Sequence, residues 1–229
     1  MRHQVKLHVW GEFACFTRPE FKTERVSYDV ITPSAARGVL EAIHWKPVFS
    51  WVVDRIHVLS PIEWTSIKRS EVSGKVPVTN IRRAMAAGNL DGLRQVSDEV
   101  RVQRAATVLR RPAYVIEAHP EIRKSMVWNE GGDSLLTKHA EIFRRRASKG
   151  QCFYQPCLGT REFAADFDLV DGKEFPESRL RPEEKSRDLG WMLLDLDHQR
   201  QPALPKFFRA VMQDGVINTP PMWSIEARS

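Results

Sequence analysis

The spacing of apolar residues along the chain predicts two amphipathic helices. The first lies within Ile31–Pro47, begins with Thr32 as N-cap and ends before its final proline. The second is predicted at Ser134–Ser148 and ends before Gly150. Its inward face holds His139 among apolar residues, namely Leu135, Leu136, Ile142 and Phe143. We therefore expect His139 to be a core histidine with a hydrogen-bond partner.

Alternating or β-branched runs predict strands around these helices. The predicted strands are Val5–Phe13, Phe49–Leu59, Ile62–Ile67, Arg101–Leu109, Ala113–Ala118 and Trp191–Leu196, with one or two more in Phe153–Val170. The strands on either side of Arg110-Arg111-Pro112 are expected to pair as a hairpin. A second hairpin is predicted around Asp214-Gly215, a strong turn signal. A short helix is predicted at Thr79–Ala87, with Thr79 as its cap.

The order of these elements predicts an α+β fold. This order, which is strand, helix, paired strands, helix and strand, suggests a ferredoxin-like βαββαβ unit. In such a unit both helices lie on one face of an antiparallel sheet. We expect this unit to span residues 1–170, with a basic insertion around 66–100. A charged segment with two prolines, 171–190, then leads into a small antiparallel β-sheet domain at 171–229. Such folds often bind RNA, although the fold alone does not define a function.

The amino-acid composition indicates the broad class of the protein and the cellular compartment in which we expect it. The chain is 42% hydrophobic and 28% charged, as in ordinary globular proteins. It has no apolar run long enough to span a bilayer and does not begin like a secretory signal. Cys15, Cys152 and Cys157 are odd in number and lack zinc-finger spacing. We expect them to be free thiols in a cytoplasmic protein that needs no metal or other cofactor.

Positive charge is concentrated in one segment. Residues 66–111 contain ten Lys/Arg and four Asp/Glu, so this segment accounts for the whole net charge of +6. Such concentration is typical of a protein that binds a polyanion. A solvated basic face that serves only solubility is the alternative. The candidate RNA contacts here are Lys68, Arg82, Arg83, Arg101 and Arg104.

The end of the first helix carries residues suited to work on a phosphodiester. His44 can exchange a proton, Trp45 can stack on a base and Lys46 can neutralise phosphate charge. Arg37, on another side of the helix, is a further candidate RNA contact. The structural alternative is a histidine favoured by the negative end of the helix dipole, beside a half-buried tryptophan.

Four separated segments resemble one known family. They are Ser27–Pro47 (SYDVITPSAARGVLEAIHWKP), Arg101–His119, Gln155–Phe163 and Lys206–Pro220. They are similar, in the same order, to the CRISPR-associated RAMP proteins of the Cas5 family, type I-C subtype. The resemblance implies a metal-independent endoribonuclease that cuts CRISPR repeat RNA in the precursor transcript through the 2′-OH, leaving a 2′,3′-cyclic phosphate. It also implies that the protein stays on the 5′ handle of the guide, beside the backbone and large subunits of an effector complex in antiviral defence.

The resemblance also suggests site residues. The family's catalytic aromatic, usually Tyr in EAIYWKP, falls on His44, and its Lys-His pair falls on Arg110 and Arg111. Because arginine hardly deprotonates, His44 is expected to carry the proton, while Arg110, Arg111 and Lys46 stabilise the phosphorane. His119 is a possible substitute. The alternative function is a guide-RNA-binding subunit without catalytic activity.

Overall fold

The computed structural model describes residues 3–21, 23–90, 93, 97–123, 132–170, 172, 174–197, 202–222, 224 and 227. The helices are α1 Pro33–Ile43, α2 Val78–Ala87, α3 Ser97–Val100 and α4 Gly132–Ala147. The strands are β1 Val5–Trp10, β2 Phe13–Ala14, β3 Phe49–Val58, β4 Trp64–Val72, β5 Arg101–Arg110, β6 Ala113–Ile122, β7 Asp166–Leu169, β8 Arg187–Asp197, β9 Leu204–Gln213 and β10 Val216–Asn218.

Seven strands form the main antiparallel sheet, in the order β7-β1-β6-β3-β10-β9-β8. Both α1 and α4 pack on one face of it, where alternate strand residues such as Phe49 and Trp51 are buried against Phe143 of α4. The other face carries polar residues such as Glu117 and His119 beside a small buried apolar cluster around Val115. The predicted mixed α/β class with antiparallel sheets is therefore confirmed.

The two predicted helices begin and end for local reasons. The Thr32 hydroxyl accepts a hydrogen bond from the Ala35 amide, as an N-cap does, and Pro33 occupies the first turn. At the other end, the Arg146 guanidinium of α4 donates to the carbonyl oxygen of Ile43. This bond satisfies one of the last carbonyl groups of α1 and ties the two helices together.

The predicted hairpin around Arg110-Arg111-Pro112 was wrong. Strand β5 pairs with β4 and β2 in a separate three-stranded sheet, whereas β6 pairs with β1 and β3 in the main sheet. Arg111 has a positive φ of 47°, and its amide donates to the carbonyl oxygen of Glu12. This turn diverts the chain from one sheet to the other.

The strands after residue 170 do not form a separate small sheet, as the sequence had suggested. Strand β10 pairs with β3, so the hairpin β9–β10 and strand β8 extend the main sheet. Met192 and Phe208 belong to the same buried core as α1. The predicted turn at Asp214-Gly215 is confirmed, with positive φ at both residues. The division of the chain into 1–170 and 171–229 stays a prediction.

The basic insertion between β3 and β6 contains β4, α2, α3 and β5. The predicted helix near Thr79 is confirmed as α2, although its N-cap is Pro77, with no side-chain cap, and Gly88 ends it in the left-handed region. Ala84 is its buried residue. In the part of the chain that the structure describes, no helix combines the length and apolarity needed to cross a membrane.

Candidate nucleic-acid interface

His44 lies at the C-cap of α1 and is enclosed by the core, with 2% of the residue exposed. Its Nε2 is 3.0 Å from Nδ1 of His139, and its Nδ1 is 3.5 Å from the Arg146 guanidinium. Burial, followed by the charges of His139 and Arg146, lowers the pKa of His44 to about 4. The imidazole is therefore neutral at pH 7, and protein groups lie against both of its nitrogens.

This geometry speaks against the predicted proton transfer by His44. A general acid or base must come within hydrogen-bond reach of the proton it moves, and RNA cannot reach a ring that is buried between two helices. His139 is buried and hydrogen-bonded to His44, so its predicted role as a core histidine is confirmed. A structural role at the helix end fits His44 better, although its lowered pKa shows that the helix dipole, which favours a protonated ring, is not the reason for this residue.

Arg110 and Arg111 lie at the opposite end of the main sheet from His44. His44 contacts Phe49, which pairs with Ile122 at one end of β6, whereas Arg111 lies just before the other end. Ten residues of strand at about 3.3 Å each separate the two places by about 30 Å. The structure therefore places Arg110 and Arg111 far from His44 and Lys46, and the catalytic roles predicted for these four residues stay predictions.

His119 is the half-exposed histidine at the His44 end of β6, on the polar face of the main sheet. Its side chain is 22% exposed, and its Nδ1 is 3.0 Å from a carboxylate oxygen of Asp54 on β3. Its Nε2 is 3.3 Å from Glu121, whose side chain is largely exposed. The hydrogen bond to Asp54 is the main cause that raises the pKa of His119 above its ordinary value.

Cationic and aromatic groups lie farther along the same end of the sheet, with Arg123 four strand positions, about 13 Å, from His119. Arg123 donates from Nε to the Ser50 hydroxyl at 2.8 Å, and its guanidinium lies 5.7 Å from the centre of the Trp45 ring. Trp45 is 42% exposed, and Lys46 next to it is exposed as well. We call His119, Asp54, Arg123, Trp45 and Lys46 the His119 site. It combines a proton donor, cations and a ring for stacking.

Sequence reasoning missed Asp54 and Arg123. Asp54 faces His119 only because Val52 of β3 pairs with His119 of β6, and Arg123 reaches Ser50 because Ser50 pairs with Glu121. Neither residue forms a motif with its neighbours along the chain. The alternation of polar residues at 119, 121 and 123 was the available signal, since alternate residues share one face of a strand.

The predicted RNA-contacting side chains differ in their ion pairs and in their exposure to solvent. Arg37 is held by Asp195 of β8, at 2.7 and 2.8 Å, and by Glu41 at 2.7 Å, so carboxylates already satisfy its guanidinium. Arg104 is half-buried, 3.5 Å from Glu71. The remaining candidates are exposed: Lys68, Arg82, Arg83, Arg101, Arg110 and Arg111. Arg37 is thus a bridge between α1 and β8.

The three cysteines are free, as expected. Within the described ranges, no group of three or more His, Cys, Asp or Glu side chains is arranged to hold a metal ion.

Comparison with known proteins defines the class first. Residues 4–220 match the family model described as CRISPR-associated protein (Cas_Cas5). The chain therefore belongs to this family of CRISPR-associated proteins.

The curated relatives narrow the class to its Cas5d branch. The CRISPR pre-crRNA endoribonuclease Cas5d of Mannheimia succiniciproducens is 51% identical over 229 residues, which are 100% of each chain. The protein of the same name from Thermus thermophilus is 40% identical over 236 residues, covering 95% of this chain and 91% of that one. The resemblance seen in the sequence is confirmed.

Two solved structures share the fold. A crystal structure of a CRISPR-associated protein has a TM-score of 0.67 at 23% identity and covers 99% of this chain and 96% of its own. A functionally uncharacterized protein from Streptococcus mutans has a TM-score of 0.66 at 22% identity, covering 99% and 97%. These likenesses support the mixed α/β architecture.

Proposed function

We propose that this chain is a CRISPR pre-crRNA endoribonuclease that cuts the repeat RNA of the precursor transcript. The observation that carries the proposal is the full-length identity of 51% to a protein named for that activity. The His119 site supplies groups that such a reaction requires. Cleavage through the ribose 2′-OH needs no metal, because the nucleophile is part of the substrate.

In the proposed mechanism, the 2′-oxygen attacks the phosphorus and loses its proton to solvent water, while His119 is the general acid for the leaving 5′-oxygen. In the protonated ring, Nδ1–H donates a hydrogen bond to the Asp54 carboxylate, which fixes the ring, and Nε2 carries the second proton, which can be given to the 5′-oxygen as it leaves. The raised pKa keeps this proton in place near neutral pH. Glu121 lies farther away, at 3.3 Å, and its exposed carboxylate can move aside for the RNA.

The other members of the His119 site position the RNA. Arg123 and Lys46 neutralise phosphates farther along the RNA, and Trp45 stacks on a base near them. The ring of His44 anchors α1 to α4 instead, and its carbonyl oxygen accepts a hydrogen bond from the Trp51 indole at 2.8 Å. His44 thereby holds the backbone next to Trp45 in place.

The exposed cations of the insertion are proposed to hold RNA away from the cut. Lys68, Arg82, Arg83 and Arg101 project from β4, α2 and β5, and Arg110 with Arg111 lies where the chain returns to the main sheet. This exposed basic surface suits a protein that keeps the 5′ handle of the RNA after cleavage. Such a protein would work as a cytoplasmic subunit of the type I-C effector complex, beside backbone and large subunits.

The proposed architecture is a ferredoxin-like unit with extensions. The chain order β1-α1-β3-β6-α4-β7 and the sheet order β7-β1-β6-β3 support a βαββαβ unit. The basic insertion then interrupts the β3–β6 connection, and β8 to β10 extend the sheet beyond β3.

One experiment separates this function from a guide-binding subunit without catalytic activity. The purified chain is incubated with its repeat RNA in excess chelator. We expect one defined cut and an upstream product that ends in a 2′,3′-cyclic phosphate. Tight binding without a cut would favour the binding subunit.

A further inference from the structure

A groove beside α1 is a candidate for a second RNA contact. It has a volume of about 640 Å³, within the range of small-ligand sites. One wall is the α1 surface at Ala35 and Gly38, and the other is the loop that includes Tyr154, Gln155, Cys157, Gly159 and Arg161. We call this the α1 groove. None of its residues belongs to the His119 site.

The loop holds two aromatic side chains out of the core. Phe153 is 81% exposed and Tyr154 is 54% exposed, with their ring centres 6.0 Å apart at an interplanar angle of 76°. Both backbone amides donate to the carbonyl oxygen of Ala42, at 2.8 and 3.3 Å, and Leu158 is fully buried. The loop is therefore fixed, while its rings face solvent. Exposed aromatics on a fixed backbone are typical of contact surfaces.

Glycine at position 38 is a second sign that something approaches the helix. It lies inside α1, where glycine is less stable than alanine. A Cβ added there would meet nothing within 4 Å, so no packing contact requires the glycine. Its absence of a side chain keeps the groove open on the side of the helix.

The charge in the groove suits a phosphate. Arg161 is exposed and has no ion-pair partner among the residues that the structure describes. Arg37, by contrast, is neutralised by two carboxylates. An unpaired guanidinium next to aromatic rings is the combination that binds single-stranded nucleic acid, with bases on the rings and phosphates on the cation.

The groove and the His119 site lie on opposite faces of the main sheet, since α1 packs on one face and His119 lies on the other. Within the groove, Tyr154 and Arg161 line the same wall, and Ala42 near the end of α1 anchors the aromatic pair. We propose that the α1 groove binds an unpaired nucleotide of the repeat RNA away from the cut, stacked on Tyr154 with its phosphate on Arg161. This inference rests on the proposed function.

The test places 2-aminopurine at single positions in the unpaired part of the repeat RNA. We expect the parent protein to quench the fluorescence of 2-aminopurine at one of these RNA positions when it binds. Tyr154→Ala should remove this quenching and weaken RNA binding about tenfold. Gly38→Leu should do the same while the melting temperature stays at or above that of the parent, because leucine is a better helix former than glycine. Arg161→Ala should lower the salt dependence of binding by about 0.7 in slope.

Phe175→Ala is the matched control, since Phe175 is also partly exposed but packs against His57 on the other face of the sheet. It should leave quenching and affinity unchanged. If RNA is cut and bound with normal affinity by Tyr154→Ala and Gly38→Leu, the groove inference is overturned and the proposed function stands. If the parent neither binds nor cuts repeat RNA, both fall. If Tyr154→Ala and Gly38→Leu lose binding to another protein while they still bind RNA, the groove is assigned to a protein partner, and the inference is also overturned.

Discussion

At the scale of single residues, two histidines near one end of the main sheet lie in opposite environments. His44 is buried, its pKa is lowered to about 4, and His139 and Arg146 lie against its ring nitrogens. His119 is half-exposed, and Asp54 raises its pKa. The second arrangement places a ring nitrogen near solvent, as the general acid of the proposed mechanism requires.

Removal of the His119 imidazole should abolish most of the chemistry without loss of binding. We expect His119→Ala to cut repeat RNA about a hundredfold or more slowly in single-turnover assays, with nearly parental affinity, because proton transfer is lost and the phosphate contacts stay. His57→Asn is the matched control, since His57 lies on the same sheet face and also contacts a carboxylate, Glu117. A parental rate in folded His119→Ala would return the chemistry to another group.

The pH dependence of cleavage should report the Asp54–His119 contact. Because Asp54 raises the pKa of His119, the acid form persists above pH 6.5, and the single-turnover rate should fall on the alkaline side of that raised pKa. In Asp54→Asn the hydrogen-bonded charge is gone, so the fall should move to lower pH. Rates measured from pH 5 to 9 test this, and an unshifted profile in Asp54→Asn would contradict it.

The sequence made the His44-Trp45-Lys46 cluster visible, because its members are neighbours along the chain. It could not show that the ring of His44 turns inward, since that depends on the distant contact with α4. Asp54 and Arg123 were missed for the related reason that β3 and β6 bring them to His119 and Trp45 through strand register.

At the scale of elements, the α1–α4 contact should make the fold sensitive to acid. The pKa of His44 is about 4 when folded and ordinarily 6.5, so the unfolded chain binds more protons between these values. This stability is present above pH 6.5 and is lost as pH falls towards 4, by up to about 3 kcal/mol for a shift of this size.

Urea unfolding of the parent and of His44→Leu/His139→Leu, at several pH values from 7.5 to 4.5, measures this loss. Because the double variant removes both polar partners, its free energy of unfolding should fall less steeply with acid than that of the parent. Equal pH dependence in the two proteins would show that the histidine pair stays neutral or equally protonated in both states.

Helix α2 should add charge to RNA binding without any role in the cut. Arg82 and Arg83 are exposed on this helix, and each phosphate contact that is lost should lower the slope of log K against log salt concentration by about 0.7–0.9. Binding of Arg82→Ala/Arg83→Ala is measured between about 50 and about 300 mM salt. An unchanged slope would assign these arginines to a solvated face.

The helices and the Asp214-Gly215 turn could be predicted because their signals are local. Thr32, Pro33 and Gly88 mark helix ends within one turn of the residues they affect. The partners of β5 and β6 could not be predicted. Two apolar strands on either side of a bend favour a hairpin unless distant strands compete for them. Here β4 pairs with β5, and β1 and β3 pair with β6.

At the scale of the whole molecule, one sheet joins the parts that the proposed function needs. The His119 site lies at one end of β6, the exposed arginines 110 and 111 lie at the other, and the basic insertion branches off between β3 and β6. An RNA that contacts both ends spans about 30 Å of protein. This separation allows the cut and the retained handle to occupy different surfaces of one chain.

The most direct test of the proposed mechanism measures the cleavage of two repeat RNAs that differ by one oxygen atom. One is all ribose, and the other has a 2′-deoxy nucleotide at the scissile position; both are incubated with the chain in excess chelator under single-turnover conditions. Because the 2′-OH is the proposed nucleophile, the first should be cut to a 2′,3′-cyclic phosphate and the second should bind with similar affinity and stay intact. Cleavage of the deoxy RNA at the same position would contradict the mechanism.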